Sequence, residues 1–310
     1  MKGNNILNIK KIGLVAVTGF AAVTLAACGQ NGANSDIVTM KGDTIRVSDL
    51  YKEAKSYPAT GTATLLQNMT FNKIFEKEFG KKVSEKAVNQ EFDTQKASYG
   101  SNFAAALQQA GYTEASYKTS IRSQLLLKEV VTSKIKFTDA EYKAAFETYH
   151  PTVDAYVLSE TTEDAAKKLV EDAKNDAAAF DKTAKEKNAE MKFDSANAKI
   201  PTEVKTAAFK LKDGEVSAEP IAVSNTQTGT KSFYVVKMVK NADKGTDWKT
   251  YKKELKAIIT TNKQNDATFV NGIIANYLKD YNVKVKPKEF SNIFSSYEAA
   301  VTSSSSSKSK

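Results

Sequence analysis

Helical periodicity fills the first half of this chain, stops at Pro151 and returns at Trp248. That interruption constrains the fold more than any other feature. Before it, Leu65, Leu66, Met69, Ile74, Phe75 and Phe79 approximate one helical stripe, closed by Gly80. Ser84 opens a helix carrying Val88 and Phe92, and Phe103, Ala106 and Leu107 mark a short third. Thr113 opens a longer one through Tyr117, Ile121, Leu125 and Val130. Thr138 and Glu141 have capping-box spacing ahead of Tyr142, Phe146 and Tyr149. After the interruption the period resumes with Leu255, Ile258 and Ile259, then Phe269, Ile273, Ile274, Tyr277 and Leu278. Two helical blocks separated by a segment of different texture predict flanks that pack together around an insert.

Inside the interruption, "TVDAYVL" reads as a strand, and Thr161 and Asp164 start a helix through Leu169. Phe180 and Ala184 continue the helical pattern, and "FDSANAKIP" reads as loose chain. A short helix surrounds Val204, Ala208 and Phe209. "DGEVS" is a glycine turn, "EPIAVS" an extended segment and "KSFYVVKMV" a last strand. This β-α-α-β-β order predicts one α+β domain. Upstream, the alternation at Val38/Met40 and Ile45/Val47 predicts a hairpin around Lys41-Gly42-Asp43, with Ser48 capping the next helix. "NVKVK" predicts a final short strand.

The ends bear on location. Lys2, Lys10 and Lys11 precede an apolar run from Ile12 to Ala27, the order of a secretory leader. Cys28 is the sole cysteine of 310 residues and stands at the border of that run and the polar "GQNGANS". "Leu25-Ala26-Ala27-Cys28-Gly29" resembles a bacterial lipobox, which implies lipidation of the Cys28 thiol and a membrane anchor. The tail "TSSSSSKSK" is of low complexity. The chain is basic, with net charge +9, but its lysines alternate with acids along helical faces. That excludes a nucleic-acid footprint and fits an anionic membrane or cell wall.

Enzymatic signatures are sparse. One histidine and one cysteine provide no zinc set or Cys-His pair. A Gly-x-Ser-x-Gly elbow and a phosphate-binding loop are both missing from the sequence. His150, beside Pro151, reads as an exposed linker residue.

The lipobox, the helical flanks and the α+β insert together resemble the PrsA family, the extracytoplasmic foldase lipoproteins of Gram-positive bacteria. The stretches that carry the likeness are "LLQNMTFNKIFEKEFGKKVSEKAVNQEF", "YGSNFAAALQQAGYTEASYKTSIRSQLLL" and "FTDAEYKAAFETYHPTVDAYVL". In the insert, "AAFKLKDGEVSAEPIAV" is similar to the parvulin pattern of Phe-x-Leu, a Gly-x-Val-Ser turn and a Pro-led strand. The resemblance implies an α+β fold in which a mainly helical chaperone domain, built from both flanks, carries an inserted parvulin-like domain. It divides the chain into a signal peptide (1–27), a lipidated N-terminus and tether (28–36) and an N-terminal helical region (37–149). A parvulin-like domain (150–243), C-terminal helices packing on the N-terminal region (244–290) and a disordered tail (291–310) follow.

The family activity that the resemblance implies is peptidyl-prolyl cis-trans isomerisation, without cofactor or metal. Parvulins place a histidine in the first strand (Ser-His-Ile-Leu) and another in the last (Tyr-His-Ile-Ile). Matched by motif, Tyr156 and Tyr234 stand at those positions, and two phenols there could hydrogen-bond one another. Ile200, Val204 and Phe209 fall on the cup that holds the proline ring. Replacing both histidines implies weakened or lost isomerisation on a retained fold. The implied role is a membrane-anchored foldase at the extracytoplasmic face. Its partners would be unfolded or partly folded exported proteins and the membrane, through a diacylglyceryl group on Cys28; a homodimer is left open. The alternative is a solute-binding lipoprotein of an import system, which predicts two α/β lobes with repeated strand-helix alternation.

Overall fold

The computed structural model describes residues 32–57, 60–224 and 230–297. The chain enters through β1 (Asp36–Met40) and β2 (Asp43–Arg46), paired antiparallel so that Met40 faces Asp43 across Lys41-Gly42. Gly42 has φ 81°, a backbone conformation that favours glycine in this turn. Helices α1 (Val47–Ser56), α2 (Thr62–Phe79), α3 (Glu85–Tyr99), α4 (Phe103–Gln109), α5 (Glu114–Lys134) and α6 (Asp139–Thr148) follow. The chain then runs through β3 (Val153–Glu160), α7 (Glu163–Asn175), α8 (Ala177–Glu186) and β4 (Glu190–Phe193). Next come α9 (Thr202–Ala208), β5 (Ile221–Ser224) and β6 (Lys231–Lys240). Helices α10 (Lys252–Asn265) and α11 (Ala267–Asp280) and strand β7 (Lys284–Val285) complete it. The fold is α+β, mainly helical with small antiparallel sheets.

The chain divides into two compact units. One is Phe137–Ile259, and the other takes the described residues of 32–136 and 260–297.

In the second, mainly helical unit, both ends of the chain contribute to one core. Val38, Leu66, Ile74, Phe75, Ile121 and Val130 share it with Ile273, Ile274 and Tyr277. Strand β7 pairs antiparallel with β1, Val38 facing Val285, to give the sheet order β2-β1-β7. Side-chain caps fix where helices start. Ser84 Oγ accepts from Ala87 N at 3.2 Å, and Thr113 Oγ1 accepts from Ser116 N at 3.1 Å. Arg122, on α5, grips both carboxylate oxygens of Glu76 through Nε and Nη2, and donates to Val83 O at 2.7 Å and Gly80 O at 3.2 Å. It thereby satisfies the carbonyls of Gly80, at the cap of α2, and of Val83, just past the turn that follows.

Two expectations fail in this unit. Ser48 does not cap α1; the helix begins at Val47, and Arg46 N donates to Asp49 Oδ2 at 2.9 Å. The residues from 291 are not all tail. Phe294 is 5% exposed within the core, and its ring lies 5.8 Å from that of Phe71. Serine-rich surroundings hid this aromatic anchor, since composition reports the average of a stretch and not its one buried ring.

The other unit is built on a four-stranded antiparallel sheet, β4-β3-β6-β5. Strand β4 lies just ahead of the stretch that reads as loose chain, where the sequence signals no element. Glu190, Met191 and Lys192 are exposed, so an edge strand here carries no alternation to find. Helices α7 and α8 cover one face of the sheet and α9 part of the other. The unit also extends beyond 150–243 at both ends. Tyr142 of α6 stacks on Trp248 at 4.8 Å and 12°, and Thr138 Oγ1 accepts from Glu141 N to start that helix. Lys244 Nζ donates to the carbonyls of Phe146 (2.8 Å), Glu147 (3.0 Å) and Tyr149 (3.2 Å), placing a cation at the C-terminus of α6.

Candidate functional site

Side chains along a strand point alternately to opposite faces, and here the two faces differ in what covers them. On β3, Tyr156 and Leu158 join Val235, Ala166, Val170 and Phe180 under α7 and α8. On the same strand, Val153, Ala155 and Val157 belong to the opposite cluster, with Val236, Met238, Ile200, Val204 and Ala208. Cross-strand register agrees: Val157 faces Val236, and Tyr156 faces Lys237.

The register separates the two tyrosines singled out in the sequence. Tyr156 is 5% exposed on the helix-covered face, whereas Tyr234 packs, half-buried, against the cluster on the other face. The expected hydrogen bond between their phenols is excluded, because a sheet stands between them. Tyr156 instead neighbours Lys237, whose Nζ pairs with Asp181 and donates to Ala177 O at 3.2 Å. At mid-strand the residue that β3 turns toward Tyr234's face is Val157.

The three residues matched to a proline cup share that same face but differ in access. Val204 (0% exposed), on the inner side of α9, and Ile200, just before that helix, are buried and form a floor. Phe209, at the end of α9, is half-buried, as are Val157, Leu211, Ile221, Val223 and Tyr234. The accessible apolar surface is therefore made by Phe209 and these five. A helix of 7 residues spans only about 10 Å, too short to roof the sheet as α7 and α8 do.

Glycine-turn residues complete the wall. Gly214 N donates to Met238 O at 2.8 Å, Ser217 N donates to Val236 O at 2.8 Å, and Ser217 Oγ accepts from Val236 N at 3.2 Å. These bonds lay the Gly214–Ser217 turn along β6. Beside α9, Lys205 Nζ donates to Ser195 O at 2.9 Å and Asn197 O at 2.7 Å, and burial holds its pKa below the usual lysine range. Burial, reinforced by the nearby Asp194 charge, pushes the Tyr149 phenol well above its ordinary value.

His150 is not the exposed linker residue that its place beside Pro151 suggests. It is half-buried, and its ring lies flat on Phe209 with centroids 4.1 Å apart and planes at 5°. The two residues come from separate segments, and no local pattern announces such a stack. Cys28 falls outside the described residues. Among the described residues no group of three or more His, Cys, Asp and Glu side chains could hold a metal ion, and no helix is long and apolar enough to cross a membrane.

No family model matches the chain. Curated relatives do. The foldase protein PrsA of Lactococcus lactis subsp. lactis (strain IL1403) is 51% identical over 312 residues, spanning 97% of this chain and 100% of its own length. That of Streptococcus gordonii is 42% identical, spanning 96% of this chain and 99% of its own. The chain belongs to the PrsA foldase family. The crystal structure of the Lactococcus lactis foldase agrees, with a TM-score of 0.71 at 51% identity over 85% of this chain and 99% of its own. The foldase of Streptococcus pneumoniae gives a TM-score of 0.65 at 38% identity over 85% of this chain and 99% of that one. The chain is a foldase and chaperone for exported proteins, working outside the cytoplasm on client proteins. The import-system alternative finds no support, either among these relatives or in the antiparallel sheets.

Proposed function

We propose that the α+β unit grips proline-containing stretches of clients on its open face without substantially isomerising them, while a lipid on Cys28 holds the chain at the membrane. The observation that carries the first part is the face itself. Val157, Phe209, Ile221, Val223 and Tyr234 offer one shallow apolar surface, and the β3 residue at its centre is a valine. In this proposal the β3 residue that faces the cup is Val157, whereas Tyr156, the residue matched by motif to the parvulin histidine, lies on the covered face. A valine makes no hydrogen bond to an amide and moves no proton. Rotation about an X-Pro bond meets a barrier of about 18–20 kcal/mol from amide resonance, and an apolar grip alone does little to lower it. Shielding apolar segments during folding asks for no such chemistry.

The mainly helical unit, made of 32–136 with 260–297, is the second client surface in this proposal. The anchor reading rests on the lipobox-like "LAACG" and on the lone Cys28; two acyl chains give stable attachment where one is marginal.

Two assays on the soluble, lipid-free chain test the first part: suppression of aggregation of an unfolded test protein, and acceleration of a proline-limited refolding phase. Suppression with little acceleration is expected. Acceleration matching that of an active parvulin would refute grip without catalysis, and the absence of protection would remove the chaperone role from the soluble chain. For the anchor, Cys28→Ala should leave the membrane fraction for the medium, and a variant that stays membrane-bound disproves it.

A further inference from the structure

The one histidine of this chain lies against the aromatic ring of the open face, and the contacts around it form a closed circuit. The His150 ring stacks on Phe209 at 4.1 Å, and Phe209 leans on the buried ring of Phe193 at 5.9 Å. His150 N donates to Ser195 Oγ at 2.9 Å, and Ser195 N donates to His150 O at 3.1 Å. The imidazole Nδ1 sits 3.1 Å from Pro151 O, which sets the plane of the ring. Lys205, four residues before Phe209 on the chain, closes the circuit through its bonds to Ser195 O and Asn197 O. Three segments, at 149–151, 194–197 and 202–209, thus converge behind one accessible aromatic ring.

We infer that His150 is a positioning residue for the proline-gripping face: its flat stack holds Phe209 in the orientation that presents its outer face to a prolyl ring. Phe209 follows a helix of only 7 residues and is half-buried, so its own helix does not immobilise it. A ring held before binding loses less rotamer freedom when the ligand arrives, and preorganisation of this kind appears as affinity. Phe209 and the half-buried residues around it on this face are apolar, so its ligand is an uncharged, extended segment with proline against Phe209. This inference rests on the open face being the gripping surface.

The test uses the full soluble chain with the peptide Ala-Leu-Pro-Phe as probe, followed by NMR titration. His150→Ala should weaken binding roughly fivefold, the effect of releasing one ring-bearing side chain. His150→Phe, which keeps a flat ring, should restore affinity to within about twofold of the parent. Equal binding by His150→Ala, or a His150→Phe variant as weak as His150→Ala, overturns the inference. A second readout does not depend on the peptide. The His150 ring protons should carry an upfield ring-current shift that Phe209→Leu removes; an unchanged spectrum refutes the stack and the positioning role with it. If the parent chain fails to bind the peptide while that shift is present, the gripping surface is refuted, and the positioning role with it.

Discussion

Under α7 and α8, the sheet of the α+β unit buries Tyr156, Leu158 and Val235; on its reverse, α9 leaves Val157, Ile221, Val223 and Tyr234 half-covered. The same two central strands supply both faces. One face is roofed by helices of 13 and 10 residues, the other by a helix of 7. The roofed face even holds a lysine, Lys237, 7% exposed and paired with Asp181. A buried charge of this kind persists only where packing and a partner fix it. The open face keeps its apolar residues within reach of solvent. The contrast separates side chains that hold the fold from side chains left open to solvent, and it does so within single strands, at adjacent positions.

Substitutions at such adjacent positions test the contrast directly. Tyr156→Ala should destabilise the α+β unit by about 3–4 kcal/mol, the usual cost of deleting a buried ring, whereas Tyr234→Ala should cost about 1 kcal/mol or less. Urea unfolding read by circular dichroism measures both, and equal losses would erase the distinction between the faces. Asp181→Ala leaves the Lys237 ammonium without its partner and should cost about 2 kcal/mol, less than for a fully buried pair because Asp181 is at the rim. Lys237→Met, which removes the charge and keeps the bulk, should stay within about 1 kcal/mol of the parent; a large loss there would make the ion pair itself a source of stability. On the open face, Val157→His should leave stability within about 1 kcal/mol and raise prolyl isomerisation in a proline-limited refolding assay. A silent Val157→His would show that a histidine on the open face is not enough to bring catalysis.

The smallest effect is one of pH. Burial lowers the Lys205 pKa from its ordinary 10.5, so the folded state disfavours the protonated form. Between the lowered folded value and 10.5 the unfolded chain binds more protons, and stability there rises with pH. The gain is complete above 10.5 and is lost as pH falls through the folded value. Lys205→Met should flatten this slope in thermal melts of the full chain; a slope that survives the substitution belongs to another group.

Much of the fold is legible in the residues. Thr113, Thr138 with Glu141, and Ser84 announce helix starts because a cap is a local bargain between neighbours three positions apart. The faces of β3 are less legible. A strand covered on both sides reads as a continuous apolar run, and "AYVL" does not tell which of Tyr156 and Val157 meets the open face. Only pairing with β6 decides it. His150 is the extreme case, since its partner Phe209 is distant along the chain and nothing near Pro151 signals a stack. Strand β4 and Phe294 were hidden for the opposite reason, each being one structured element in a stretch whose average is polar.

The pairing of β1 with β7 has a consequence for timing. The α+β unit is continuous from Phe137 to Ile259, but the helical core needs Val38 and Val285 side by side, near opposite ends of the sequence. A chain that crosses a membrane from its N-terminus releases β1 early and β7 late. The continuous unit can fold while export proceeds, whereas the helical core waits for β7 to emerge and then closes a very long loop. During that interval β1, β2 and the first helices are themselves an unfinished exported protein, in need of the shelter the finished molecule provides.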